Sequence, residues 1–135
     1  EHTFCYSLFP HSGDWAKGGT VHMARELNNS ILIFPNLQVE NIPSLLESSK
    51  PNIIVDAIKK AEDSDAVIIR MHEAHGVLTD TSLRFGIDAS SATECDLLEN
   101  EEKSHKIVKS KLALKFKPFE IKSLKLVTKS SGKNR

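Results

Sequence analysis

Two apolar runs, Ile53 to Ile58 and Ala66 to Met71, face each other across a short charged segment, and this arrangement limits the fold more than any other stretch. Ile53, Ile54, Val55 and Ile58, then Val67, Ile68 and Ile69, are β-branched, and their stiff side chains suit a pleated sheet. The connection, with Lys59, Lys60, Glu62, Asp63, Ser64 and Asp65, is too short for a crossover helix of about a dozen residues. The two strands therefore form an antiparallel hairpin. Apolar residues at consecutive positions imply cover on both faces, which places the hairpin in the middle of a sandwich. Arg70, His72 and Glu73 stand out there, because a charge in a buried strand must be paired or reach an edge.

The remaining chain is read the same way. Thr3 to Phe9 alternates Phe4, Tyr6 and Leu8 with Thr3, Cys5 and Ser7 and predicts a strand ended by Pro10, followed by a polar turn, His11 to Trp15. Val21, Ala24 and Leu27 recur at helical spacing and predict one short helix over about 20–28, with Thr20 as its capping hydroxyl and Asn28-Asn29 as its stop. Ile31 to Phe34 is a further apolar run, and Pro35 to Pro51 reads as a connecting loop or edge segment. Strands are expected at Thr81 to Ile87, Thr93 to Leu98 and Lys111 to Phe116, with Asn100 to His105 as a charged tip. In the last run Phe119 and Ile121 fall out of phase with Leu124 and Leu126, so a bulge near Lys122-Ser123 is expected. The fold class is mainly β, an antiparallel β-sandwich with one short helix. Residues 1–127 read as a single domain and 128–135 as a flexible basic tail.

Charge excludes some partners. With 18 basic and 18 acidic residues the formal charge is zero, which gives no electrostatic reason to expect nucleic acid or an anionic membrane. No apolar run approaches the roughly 20 residues that span a bilayer. A chain that starts at Glu1 and enters a strand almost at once reads as a piece of something longer. Cys5 and Cys95 are too few for a disulfide framework and read as buried small apolar residues. The lysines at 109, 111, 115, 117, 122 and 125 read as solvated strand faces.

No catalytic constellation emerges. His72 and His75 are three apart in a strand-to-turn setting, whereas the zinc-protease pattern needs histidines four apart on a helix, so no metal site is assigned. Arg70 and Glu73 read as a charge pair clamping the end of the hairpin. Asp14 with Trp15 reads as a loop anchor or a contact to a neighbouring domain.

Five blocks of the sequence, in order, carry a resemblance. His2 to Trp15 (HTFCYSLFPHSGDW), Ala24 to Asn28 (ARELN), Ala57 to Gly76 (AIKKAEDSDAVIIRMHEAHG), Thr93 to Glu99 (TECDLLE) and Pro118 to Leu126 (PFEIKSLKL) together resemble the C-terminal β domain of the class II α-mannosidases, glycoside hydrolase family 38. Met71-His72 departs from that family's usual Leu-Tyr. The resemblance implies a parent enzyme that hydrolyses α-linked mannose with zinc or another divalent metal, held with the nucleophile in a catalytic domain outside these residues. It implies no catalytic residue, metal ligand or cofactor in this chain. The expected partner is the remainder of the parent chain, with mannosides reached only through the parent, and the expected compartment is cytoplasmic, with a lysosomal or secretory one as the alternative. His11, Asp14, Trp15, Arg70 and Glu73 are the candidate domain-interface or clamp residues. The alternatives are a stand-alone carbohydrate-binding module, which calls for exposed aromatics in one cleft, and a small metalloenzyme using His72 and His75.

Overall fold

A computed structural model describes residues 2–29, 33, 35 and 44–128. The chain divides into two compact units, Glu1–Glu40 and Asn41–Arg135. The second holds eight strands: β1 (Leu46–Ser48), β2 (Ile53–Lys60), β3 (Val67–Glu73), β4 (Thr79–Phe85), β5 (Ala89–Cys95), β6 (Glu101–His105), β7 (Lys111–Phe116) and β8 (Ile121–Thr128). They form two antiparallel sheets, one ordered β1-β4-β7 and the other β2-β3-β8-β5-β6. Alternation on β4 and β7 sends Leu83, Phe85, Leu112, Leu114 and Phe116 inward, where they meet Ile69, Met71, Leu124 and Leu126 of the larger sheet. The result is the expected sandwich.

The central hairpin forms, with Val67 opposite Lys60 and Glu73 opposite Ile53. Its place differs by strand. β3 lies between β2 and β8 and is covered on both faces, as its apolar run predicts. β2 is the outermost strand of its sheet, and from Asp56 onward its side chains are exposed. A register shift between Val55 and Ala57 bends it where burial ends. An apolar run reports what a strand can bury, and only the strand order decides whether a neighbour covers it.

β8 corrects a second expectation. Its pairing with β3 runs without a shift from Ile121 opposite His72 to Leu126 opposite Val67, so no bulge lies near Lys122-Ser123. Beyond the shift in β2, the register shifts fall in β5, between Ala89 and Ser91 in its pairing with β8 and between Glu94 and Cys95 in its pairing with β6. Phase is kept because both faces of β8 are covered: Leu124 and Leu126 enter the core, while Ser123 and Lys125 are buried on the other face. That face also carries a small cluster of Ala61, Ala66, Ile68 and Cys95, closed by the β2–β3 turn. Lys125 is thus no solvated lysine. Its Nζ lies 3.0 Å from both carboxylate oxygens of Asp63 in that turn. Lys109, Lys111, Lys115 and Lys117 are exposed as expected.

The expected tip at Asn100 to His105 is an edge strand, β6, whose charged residues suit a strand with one open side. β5 begins and ends earlier than expected, leaving Leu97 and Leu98 exposed in a turn where Asp96 Oδ1 accepts the Leu98 and Asn100 N–H groups at 2.8 and 2.9 Å.

In the first unit α1 spans Thr20–Asn28, as the periodicity predicts. Gly19, at φ 72°, is its N-cap, and no side chain caps it; the Thr20 hydroxyl instead lies 3.4 Å from His11 Nε2. Residues 2–10 form no strand, and Tyr6 is 91% exposed and Cys5 exposed. Alternation says which face a strand would bury, but a strand exists only with a ladder partner. Of the run Ile31 to Phe34 only Ile33 is described, and the tail beyond Thr128 lies outside the described residues.

Leu124, fully buried on a strand shared by β3 and β5, reports on the whole sandwich. Leu124→Ala is expected to lower the unfolding free energy in urea by about 2–5 kcal/mol. Lys111→Ala, on an exposed face, is expected to stay within about 0.5 kcal/mol.

Candidate functional site

Glu73 ends β3 and has no exposed surface. Its carboxylate gathers five N–H donors. Oε1 accepts from Asn52 Nδ2 at 2.7 Å and from the His75 backbone at 2.8 Å. Oε2 accepts from the backbones of Gly76 at 2.7 Å, Val77 at 3.1 Å and Phe119 at 3.0 Å. Asn52 Nδ2 also donates to Thr79 Oγ1 at 2.7 Å, and the Asn52 carbonyl accepts the Ala74 N–H at 2.8 Å. One side chain therefore ties the entry of β2, the β3–β4 loop and the β7–β8 turn together.

The local sequence is built for this. The amides of His75, Gly76 and Val77 converge on one point because the chain turns sharply, with Gly76 at φ 72°. A Cβ on Gly76 would lie 2.5 Å from the Phe119 ring, so glycine also lets the two loops touch. Phe119 itself has φ 56°, a conformation costly for a bulky residue, and its N–H bond to Glu73 offsets that cost. Burial alone would push the Glu73 carboxyl up, but the donors from Phe119, Asn52, His75 and Gly76 outweigh it and bring the pKa down to about 2.

The residues singled out in the sequence are distributed as follows. Arg70 lies three positions before Glu73 and so on the opposite face of β3, where its Nε donates to Ser123 Oγ at 3.3 Å. The expected Arg70–Glu73 charge pair is thus replaced by a carboxylate held by backbone donors. His72 Nδ1 lies 2.7 Å from Asp56 Oδ2 on the neighbouring strand. Among the described residues no group of three or more His, Cys, Asp and Glu side chains is placed to hold a metal. In the first unit, Asp14 Oδ1 accepts the Lys17 N–H at 2.8 Å and the Trp15 carbonyl accepts that of Thr20 at 3.1 Å, building the turn into α1. A Cβ on Gly18 would strike the His11 ring, so this turn is moulded around His11, while Trp15 is half exposed.

Sequence reading missed Asn52 and a second cluster, Glu94, His105 and Lys122. His105 Nε2 lies 2.7 Å from Glu94 Oε1, and Lys122 Nζ donates to Glu94 Oε2 at 2.9 Å. Burial pushes the Glu94 carboxyl up, and the Lys122 and His105 contacts outweigh it and hold it below the ordinary range. These residues sit on three strands, so only the register reveals them.

Residues 52–124 match the sequence profile of the Glycosyl hydrolases family 38 C-terminal beta sandwich domain. The chain is 33% identical over 137 residues to Alpha-mannosidase 2C1 of Mus musculus, covering 96% of this chain and 13% of that protein. It is 32% identical over 134 residues to Alpha-mannosidase 2C1 of Homo sapiens, covering 94% and 13%. It is 33% identical over 136 residues to Alpha-mannosidase G of Dictyostelium discoideum, covering 95% and 12%. The chain spans about an eighth of the length of these relatives.

Glu73→Gln is expected to destabilise the chain by about 3 kcal/mol in urea, because a carboxamide offers one acceptor oxygen where two are needed. The pH dependence has a definite sign. A carboxyl whose pKa falls from 4.5 to about 2 on folding contributes roughly 3 kcal/mol above pH 4.5. That stability is lost as pH falls from 4.5 towards 2, and Glu73→Gln should flatten this part of a stability-against-pH curve.

Proposed function

The chain belongs to glycosyl hydrolase family 38 as a C-terminal β-sandwich domain, and from that membership we propose that it serves as a non-catalytic structural domain of an α-mannosidase. In this reading it packs against and supports a zinc-dependent catalytic domain formed by the rest of a longer chain, which carries the hydrolysis of α-linked mannose. The described side chains do not suit the metal: His72 is committed to Asp56, and no cluster of metal-binding groups surrounds it or His75. No catalytic step is assigned to these residues.

One observation carries the reading. The two loops tied by Glu73 hold large apolar side chains in the solvent, Val77 and Leu78 on one and Phe119 on the other, with Ile121 beside them at the start of β8. An exposed apolar patch on a rigid frame is the usual form of a surface made to be covered. Loops pinned by four charge-assisted donors lose little entropy on docking. Trp15 is proposed as a second docking side chain, with His11 and Asp14 shaping its turn, and Arg70 as a brace within the sheet.

The test uses the parent enzyme with and without this domain. The chain alone is expected to hydrolyse no α-mannoside, and the parent lacking it to lose most activity. Adding the chain in trans should restore activity, and Phe119→Ser should restore at least tenfold less. Hydrolysis by the chain alone, or full activity in the truncated parent, would contradict the reading.

A further inference from the structure

The Glu94, His105 and Lys122 cluster borders a cleft of about 600 Å³, with Lys103, Lys115 and Asp80 on its walls. The strands place these groups together. Lys103 of β6 stands opposite Glu94 of β5, His105 of β6 opposite Ala92, and Lys115 of β7 opposite Asp80 of β4. Two of these nitrogen groups are largely withdrawn from water, with 12% of the His105 side chain and 14% of the Lys122 side chain exposed. A sandwich gains little stability from charges held this way, since a buried pair roughly breaks even against an apolar one.

The balance of donors and acceptors identifies what fits. Both Glu94 oxygens are taken, one by His105 and one by Lys122. Lys122 has one further carboxylate nearby, Glu120 at 3.5 Å, and its ammonium lies 5.8 Å from the centre of the Phe116 ring. Asp80 is engaged only loosely, by Lys115 at 3.8 Å. The Lys103 ammonium has no ion pair among the described residues. The cleft lining holds three lysines and a histidine against two carboxylates, with Glu120 a third beside Lys122, and because each ammonium carries three N–H groups the donors outnumber the contacts that occupy them. A neutral polyol brings a donor with every hydroxyl oxygen, whereas an ionised oxyanion brings acceptors without a matching donor on each. We propose that the cleft is an oxyanion-binding site for a small polar molecule bearing a phosphate or carboxylate group. Lys103 and Lys115 meet the anion from the two sheets, and Lys122, oriented by Glu94, meets it from the floor. This inference does not depend on the parent being an α-mannosidase.

The experiment is an amide NMR titration of the chain with inorganic phosphate and, separately, acetate, against sodium chloride at matched ionic strength. The expected result is saturable shifts at Glu94, Lys103, His105, Lys115 and Lys122 with phosphate, acetate or both, identifying which group the cleft takes, and none with chloride. Lys103→Ala, an exposed position whose loss leaves the core intact, should weaken binding about tenfold, and Lys109→Ala, outside the cleft, should not change it. Shifts that fail to saturate, that spread evenly over Lys109, Lys111 and Lys117, or that survive Lys103→Ala unchanged would overturn the proposal.

Discussion

The buried carboxylate of Glu73 is the constraint on which one end of the molecule depends. A sheet strand can hold such a group only if its charge is matched, and here the match comes from backbone amides that loops cannot otherwise satisfy. Charge and loops are thus mutually dependent. Without the carboxylate, four backbone N–H groups lose their acceptor, and without the turns the charge has no partners. The arrangement also explains two local peculiarities, glycine at 76 and the positive φ of Phe119, as parts of one device.

The same rule governs the rest of the larger sheet. Lys125 is buried where the β2–β3 turn folds back to offer Asp63, and Lys122 is half-buried where Glu94 faces it. The hairpin turn therefore does more than connect two strands. Its acidic residues complete one face of the sheet, which is why Ser123 to Leu126 remain buried on both sides without a bulge. The difference between the Asp63 and Glu94 sites is what borders them. Asp63 and Lys125 close over Ala61, Ala66 and Cys95, whereas Glu94 and Lys122 open onto a cleft.

Much of the fold was legible in the sequence because it rests on local periodicity. The β2–β3 hairpin, α1 and β7 follow from spacing alone, since apolar side chains at period two or near 3.6 leave few other ways to exclude water. Strand order was not legible, and it accounts for the misplaced elements: β2 lies at an edge, β6 pairs although its residues are charged, and residues 2–10 alternate without a ladder. Of the candidate site, Glu73 was found because a carboxylate in an apolar run is conspicuous. Its partners were not, because backbone amides leave no mark in a sequence, and Asn52 looks like any turn residue. The cluster of Glu94, His105 and Lys122 was hidden for a related reason, being assembled across strands from positions 11 to 28 residues apart.

The most direct measurement is backbone amide hydrogen exchange at Gly76, Val77 and Phe119 in the folded chain. If the Glu73 carboxylate holds both loops as described, these three amides exchange as slowly as that of Ile69 in the centre of β3, although they lie outside any strand. Exchange at the rate of an open loop, with the core amides still protected, would show that the carboxylate does not hold these loops, and the proposed rigid docking end would fall with it.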